Sequence, residues 1–370
     1  MSKLNWKKVI GWAVAALVVI GVVGTNMYNQ QQNSDNSKRI VYAVLPLSGQ
    51  FASYGKDVQK TMDVYMAQKD FAFQIKYIDS EGNPSKAITA LQQATLNDNN
   101  PLVISAFSYI STPLAPVVHN KNGFLFGVIT ASISSDTNSY QRISGNAADV
   151  VKPISDYIAK HPKKTNLIYI QDELSIKELN AIKESIKNSE QTINREMVLD
   201  MNTLDVRNSV VKLLSDKPER IILLGQPTPG YLNILRELKA QAYQGEVFTD
   251  SALSNPPTIK ALGDNMEDIY SPTMTIEADI PQPEKVEKMR IELAKVDLPV
   301  YISVSEAIDT LDLIQYTLEN NLPFSQETYT NLKKWNGLSG NIHFPGKGET
   351  FVDFYILTQR RNGKFIPVTE

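Results

Sequence analysis

From Arg39 onward the chain alternates short apolar runs with amphipathic helical stripes, and this rhythm restricts the fold more than any other feature. IVYAVL (40–45) reads as a strand, and Val58, Met62 and Tyr65 mark a helix by their spacing. FQIKYID (73–79) is the next strand, followed by Asn83-Pro84 as an N-cap and first-turn proline, with Ile88, Leu91 and Thr95 on one face. PLVISAF (101–107) predicts a third strand whose helix begins near Ser111-Thr112-Pro113, and FLFGVIT (124–130) a fourth. Such a βαβαβαβ order gives a parallel sheet with helices on both faces. The rhythm then restarts. Val150, Val151, Ile154 and Ile158 form a helical stripe, NLIYI (166–170) a strand, and Ile176, Leu179, Ile182 and Ile186 a long helix. EMVLD (196–200), RIILL (220–224) and EVFTD (246–250) are strands, with helices near 206–215 and 229–242, so a second parallel sheet is expected. After it the alternation breaks. DIYSPTM (268–274) is extended, Pro281 opens a charged helix, and Ala307, Ile308, Leu311, Ile314 and Leu318 line another apolar stripe. GNIHF (340–344), FVDFYIL (351–357) and KFIPV (364–368) are strands joined by glycine-containing turns; in FVDFYIL, Val352, Phe354 and Ile356 alternate with Asp353 and Tyr355, as in an antiparallel strand with one covered face.

The N-terminus reads differently. Lys3, Lys7 and Lys8 precede an uncharged apolar run from Val9 to Gly24, extended by Thr25 to Tyr28. Residues 1–28 are therefore a signal anchor or a cleaved signal peptide. Val22-Val23-Gly24 offers a small-residue cleavage site, whereas Tyr28 suits an interfacial anchor. In either case the lysines stay cytoplasmic and the rest is exported, which predicts a periplasmic protein held to the inner membrane through an N-terminal transmembrane helix if that helix is kept. NQQQNSDNSK (29–38) is polar and aperiodic, a linker. A net charge of −3 offers no basic field for nucleic acid. With no cysteine, thiolate metal sites and cysteine nucleophiles are excluded. His119, His161 and His343 are far apart, no pair has metal-ligand spacing, and no G-x-S-x-G, P-loop or G-x-G-x-x-G occurs. No catalytic residue, cofactor or metal is expected.

Four passages together resemble the type I periplasmic binding proteins, in the branched-chain amino acid (Leu/Ile/Val)-binding subgroup that serves ABC transporters. LPLSGQFASYGKDVQKTMDVYM is similar to that family's first strand, small-residue loop and helix, and IKYIDSEGNPSKAITALQQATLND to its second unit. PLVISAFSYISTPLAPVV with GFLFGVITASISSDT resembles the third and fourth strand ends that hold ligand, and LSGNIHFPGKGE the late G-x-I-x-F turn, with Pro345 where the family often has an acid. The resemblance covers residues 39–355. It implies two doubly wound parallel-sheet lobes joined by three hinge crossovers, near Gly145-Asn146, Tyr270-Ser271 and Gly340 to Phe344. Lobe 1 is then 39–145 and 274–341, and lobe 2 is 148–268 and 346–370. It also implies an exported solute-binding protein that closes around a small polar ligand, an amino acid or related compound, for an inner-membrane ABC permease. The alternative is a membrane-tethered envelope interaction or sensory module that reuses the fold.

In open parallel sheets ligands bind beyond the carboxyl ends of the strands. Ser48 to Tyr54, Asp79 to Gly82, Ser105 to Thr112 and Thr130 to Ser135 occupy those ends in the first half. Ser48, Tyr54, Phe107, Ser108, Tyr109, Ser111, Thr130, Ala131 and Ser132 are the candidate contacts. The hydroxyls and free N–H groups of Ser105 to Thr112 suit a carboxylate, while Ser111 and Thr112 taken alone read sooner as helix caps. Tyr54 falls where the family places an aromatic ring over its ligand; as a bare sequence feature it reads equally as a ring flanking a turn. In the second half the family's aromatics are replaced by Gln171 to Ser175 and by Gln226 to Pro229, and Asp250 stands slightly early for the acid that holds an ammonium group. Gln226, Thr228 and Asp250 are the candidates there; loss of small-molecule binding is the other outcome of those replacements.

Overall fold

The computed structural model describes residues 38–263 and 267–369, so the expected N-terminal helix lies outside the described residues. Among the described residues no helix is long and apolar enough to cross a membrane.

The first rhythm forms β1 (Arg39–Leu45), α1 (Ala52–Met66), β2 (Phe73–Asp79), α2 (Pro84–Ala94), β3 (Leu102–Ala106), α3 (Ser108–His119), β4 (Phe124–Val128) and β5 (Tyr140–Arg142). Its five strands run parallel in the order β2-β1-β3-β4-β5. β3 and β4 are buried along their whole length, because helices cover both faces of a parallel sheet and every side chain then faces a core. The predicted stripe of α1 is the one that packs: Val58, Met62 and Tyr65 are buried. Asn83 caps α2 through Lys86 N at 3.1 Å, with Pro84 in the first turn. One boundary differs. α3 begins at Ser108, not near Ser111, so Ser111 and Thr112 lie inside the helix and cap nothing.

The second rhythm forms α4 (Ala147–Lys160), β6 (Thr165–Ile170), α5 (Glu173–Ile186), β7 (Ile193–Leu199), α6 (Arg207–Leu214), β8 (Arg220–Leu224), α7 (Pro229–Ala240), β9 (Glu246–Thr249), α8 (Pro256–Leu262) and β10 (Tyr270–Met274). Then come α9 (Glu284–Ala294), α10 (Ile302–Glu319), α11 (Gln326–Leu332), β11 (Lys334–Asn336), β12 (Asn341–Gly346), β13 (Glu349–Val352), β14 (Tyr355–Arg361) and β15 (Lys364–Pro367). The second sheet has the order β15-β14-β10-β9-β8-β6-β7, parallel except where β14 pairs with β10 and β15. β11, β12 and β13 form a small antiparallel sheet. α10 carries buried residues on almost every side and packs on α1 and β4.

FVDFYIL is not one strand. Val352 ends β13 in the small sheet and Tyr355 begins β14 in the large one, with Asp353 and Phe354 between. The alternation looked continuous because each half has its own covered face. Tyr270 and Ser271, expected at a passage between sheets, lie inside β10, and Gly340 to Phe344 run into β12. The chain passes between the sheets after Arg142, after Met274 and after Val352. These passages pack closely: Asn146 Nδ2 donates to Thr350 O at 3.3 Å, Val352 N to Asp149 Oδ2 at 3.2 Å, and Thr275 N to Phe354 O at 2.9 Å. A Cβ on Gly145 would stand 2.5 Å from Val352 Cγ2, so glycine lets the first and third passages lie together without a shift.

Candidate functional site

The carboxyl ends of the two parallel sheets face each other across a cavity of about 70 Å³. From the first sheet come Tyr54, Phe107, Ile129, Thr130, Ala131, Ser144 and Gly145; from the second, Leu174, Glu178, Gly225, Gln226, Pro227, Asp250, Ser251, Ala252 and Asn255; Val150, Ile302 and Tyr355 complete the wall. Every strand end contributing here is the end at which an open α/β sheet binds its ligand. Hydrogen bonds bridge the gap. Tyr54 Oη lies 3.1 Å from Thr258 Oγ1 of α8, and Ser132 Oγ donates to Glu173 Oε1 of α5 at 3.0 Å.

The first wall is held in an unusual backbone. Phe107 has φ of 70° and Ile129 φ of 52°, positions that side chains with a Cβ rarely adopt. Phe107 N donates to Val128 O at 3.2 Å, and Ile129 N to Glu306 Oε2 at 2.7 Å, which fixes both residues at the rim. The Phe107 ring then packs on Phe51 at 5.2 Å and edge-on against Tyr54 at 5.9 Å. Behind this wall Arg142 Nη1 reaches Ala131 O at 2.9 Å and Thr130 O and Ser144 O at 3.3 Å. Its cation thus ties down the backbone of two strand ends.

The second wall is acidic. Asp250 accepts from Gly225 N, from Ala252 N at 3.0 Å and from Tyr231 Oη at 3.3 Å. Burial pushes its carboxyl up to about 7, against the pull of those donors. Glu178 reaches the same place from α5 and is 1% exposed. Burial first, then the neighbouring Asp250 and Asp172, raise it well above the usual carboxylate range. Glu178 Oε2, Asn255 Oδ1 and Tyr355 Oη are buried without a hydrogen-bond partner. Among the described residues no cluster of His, Asp and Glu could hold a metal ion.

A sequence model described as periplasmic binding protein matches residues 43–292. The chain belongs to this family. Solved binding-protein structures share its fold at low identity. An extracellular ligand-binding receptor from Rhodopseudomonas palustris HaA2 has a TM-score of 0.79 at 14% identity, over 90% of this chain and 100% of that one. A leucine-binding protein from Thermotoga maritima MSB8 has a TM-score of 0.77 at 15% identity, over 90% and 98%. An ABC-transporter solute-binding protein from R. palustris in complex with 4-hydroxybenzoate has a TM-score of 0.76 at 15% identity, over 90% and 95%. No curated protein sequence matches the chain. A periplasmic binding protein acts outside the cytoplasm, and its family consists of binding proteins, not enzymes.

The binding-protein cavity brings together six of the residues singled out from sequence: Tyr54, Phe107, Thr130, Ala131, Gln226 and Asp250. The others stand aside for identifiable reasons. Ser48 is exposed, and its N–H is bound to Asp79 Oδ1 at 3.2 Å. Ser111 Oγ is shared between Ser105 Oγ at 2.6 Å and Thr130 Oγ1 at 3.3 Å. Ser108 Oγ accepts from Ser132 N at 3.3 Å, and the Ser132 hydroxyl is engaged by Glu173. Tyr109 stacks on Phe107 at 5.9 Å behind the wall. Thr228 caps α7 through Tyr231 N. Sequence reasoning missed Glu178, Asn255, Ile302 and Tyr355. Only Glu178 left a signal. Ser175, Glu178, Leu179, Ile182 and Ile186 form the buried face of α5, whereas Ile176, read as part of the stripe, is 42% exposed.

Proposed function

We propose that this periplasmic binding protein serves an ABC transporter, closing two lobes around one small polar ligand. The observation that carries the reading is the position of the cavity, which draws its lining from the carboxyl ends of both parallel sheets and is bridged by Tyr54–Thr258 and Ser132–Glu173. One lobe is the first sheet with α9, α10, α11 and the small sheet; the other is the second sheet with its helices. The three closely packed passages are the hinge, and closure is the hinge motion that such a linkage permits. The ligand contacts proposed from the sequence are narrowed to Tyr54, Phe107, Thr130, Ala131, Gln226 and Asp250, joined by Glu178, Asn255 and Tyr355. An inner-membrane permease as partner, and a tether through the lysine-flanked run at Val9 to Gly24, rest on the sequence alone.

The test is a thermal-shift and calorimetric screen against amino acids, amides, amines, small aromatic acids and sugars, with solution scattering for closure. A ligand that raises the melting temperature and contracts the scattering envelope is expected. Failure of every class to do either overturns the reading.

A further inference from the structure

The cavity carries two carboxyl groups and no positive side chain. Its lining includes Glu178 and Asp250 but no lysine, arginine or histidine. Arg142 lies behind the first wall, with its guanidinium engaged by the carbonyls of Thr130, Ala131 and Ser144 and by Glu349. Asp172, which caps α5 through Ser175 N at 2.8 Å, adds a third acid beside the pair. A buried carboxylate is costly unless paired or neutralised. Asp250 has three donors, yet Glu178 Oε2 has none, and Asn255 Oδ1 is a second orphaned acceptor in the lining. Both residues are more than nine-tenths buried. The hydroxyls that suited a carboxylate in the sequence, Ser105 and Ser111, are bound to each other and line no part of the cavity. The remaining wall is mixed: Ile129, Val150, Leu174 and Ile302 with the rings of Tyr54 and Phe107 form its apolar part, and Thr130, Ser144, Gln226 and Ser251 add neutral polar groups without a positive charge.

Resting on the binding role proposed above, we infer that the ligand is a small organic cation, a protonated primary amine with a short branched aliphatic body and no carboxylate, whose nitrogen sits against Glu178 and Asp250. An ammonium group supplies three donors and one positive charge, which the orphaned Glu178 oxygen and the acid pair lack. The apolar walls take the hydrocarbon, and the rings of Tyr54 and Phe107 add cation–π attraction if the nitrogen lies over them. The cavity is about 70 Å³, well below the roughly 150 Å³ that accommodates benzene, so in this closed form the body is limited to a few carbons. In the empty site the pair keeps a proton. The arriving ammonium takes over its neutralising role, and one proton leaves for solvent. Binding therefore strengthens as pH rises. The groups facing the pair act in the same sense: Asp172 ahead of α5 adds negative charge, and Tyr231 from α7 and Tyr355 from β14 are phenols that burial keeps neutral.

The test uses the full chain in detergent, with isobutylamine, isoamylamine, leucine and benzoate as probes, by thermal shift and by calorimetry in two buffers of different ionisation enthalpy. An amine is expected to raise the melting temperature, to bind with a buffer-dependent heat that reports proton release, and to bind about tenfold more tightly at pH 8 than at pH 5.5. Glu178→Gln should abolish the gain. If that variant does not fold, the wild-type pH profile decides alone, and an affinity that is flat or falls with pH overturns the inference. Binding of leucine or benzoate with silent amines overturns the cationic class and leaves the binding role standing. Silence of all four probes overturns the inference too, and the broader screen proposed above then decides the binding role separately.

Discussion

Glu178 decides the character of the cavity more than any other side chain. It stands beside Asp250, and burial together with the repulsion of two neighbouring carboxylates opposes ionisation of both without a cation. Glu178→Gln removes one of the like charges and adds a donor for Asp250. The expected result is a higher urea midpoint of the ligand-free protein at pH 8; an unchanged or lower midpoint would show that the pair is already satisfied. Tyr54→Phe acts on the opposite wall. It deletes one bridging hydrogen bond and leaves Thr258 Oγ1 without that partner, a loss of about 0.5–1.5 kcal/mol. Ligand affinity should fall by about two- to twelvefold for an energy of that size, with the midpoint of the open, ligand-free protein unchanged; a drop in that midpoint alone would make the tyrosine a packing residue. These two side chains also mark what the sequence discloses. Tyr54 was legible because it follows a recognisable strand by a short loop. Glu178 was not, because a charged residue within a helix looks like a solvated one until the neighbouring Ser175 and Ile182 are seen to share its buried face. The serines at 105 and 111 misled for another reason: a hydroxyl both donates and accepts, so such groups can satisfy one another instead of a ligand.

At the scale of elements, the parallel strands were legible because burial on both faces forces continuous apolar runs such as LVISA and FLFGV. The third passage between the sheets was not, since a chain that changes partner at Asp353 keeps its local alternation. The packing of the passages gives a test. Gly145→Ala places a methyl 2.5 Å from Val352 Cγ2, and overpacking of that kind costs about 1–3 kcal/mol. Chemical denaturation should show the loss, and Val352→Ala in the same chain should restore part of it, because the two side chains compete for one space. Additive losses in the double variant would refute the contact. Asn146 belongs to the same passage and opens α4 with a reciprocal cap, accepting from Asp149 N at 2.9 Å while its own N–H donates to Asp149. Asn146→Ala should lower stability by about 1 kcal/mol, read as a shift of the denaturation midpoint without a change of slope.

The whole molecule is built around buried acids, and this sets its response to pH. Burial pushes Asp250 and Glu306 up to about 7 and Asp309 up to about 6, and it raises Glu178 and Glu277 as well. The unfolded chain releases the same protons near pH 4. Between about pH 4 and pH 7 the folded state therefore binds more protons, and its stability falls as pH rises through that window. Glu173 and Asp79 work in the opposite sense lower down. Burial alone would raise them, but hydrogen bonds from Lys177 and Ser134 to Glu173, and from Ser48 and Glu81 to Asp79, hold both below the usual range. Their contribution is lost only in stronger acid. The ligand-free protein should thus have its highest melting temperature near pH 4, already falling at pH 5 and lower still at pH 8, the reverse of a protein stabilised by paired surface carboxylates. Two of the acids tie parts of the fold together: Glu306 joins α10 to Ile129 and Ser144, and Asp309 holds the turn at Leu338 and Ser339. Their share of the slope should persist when ligand binds. The share of Glu178 and Asp250 should vanish on saturation with a cationic ligand, because the bound charge then keeps the pair ionised in the folded state. Comparing melting temperatures at pH 5 and pH 8, with and without saturating amine, separates the two contributions; an identical slope in both conditions would mean that the acids lining the cavity do not meet the ligand.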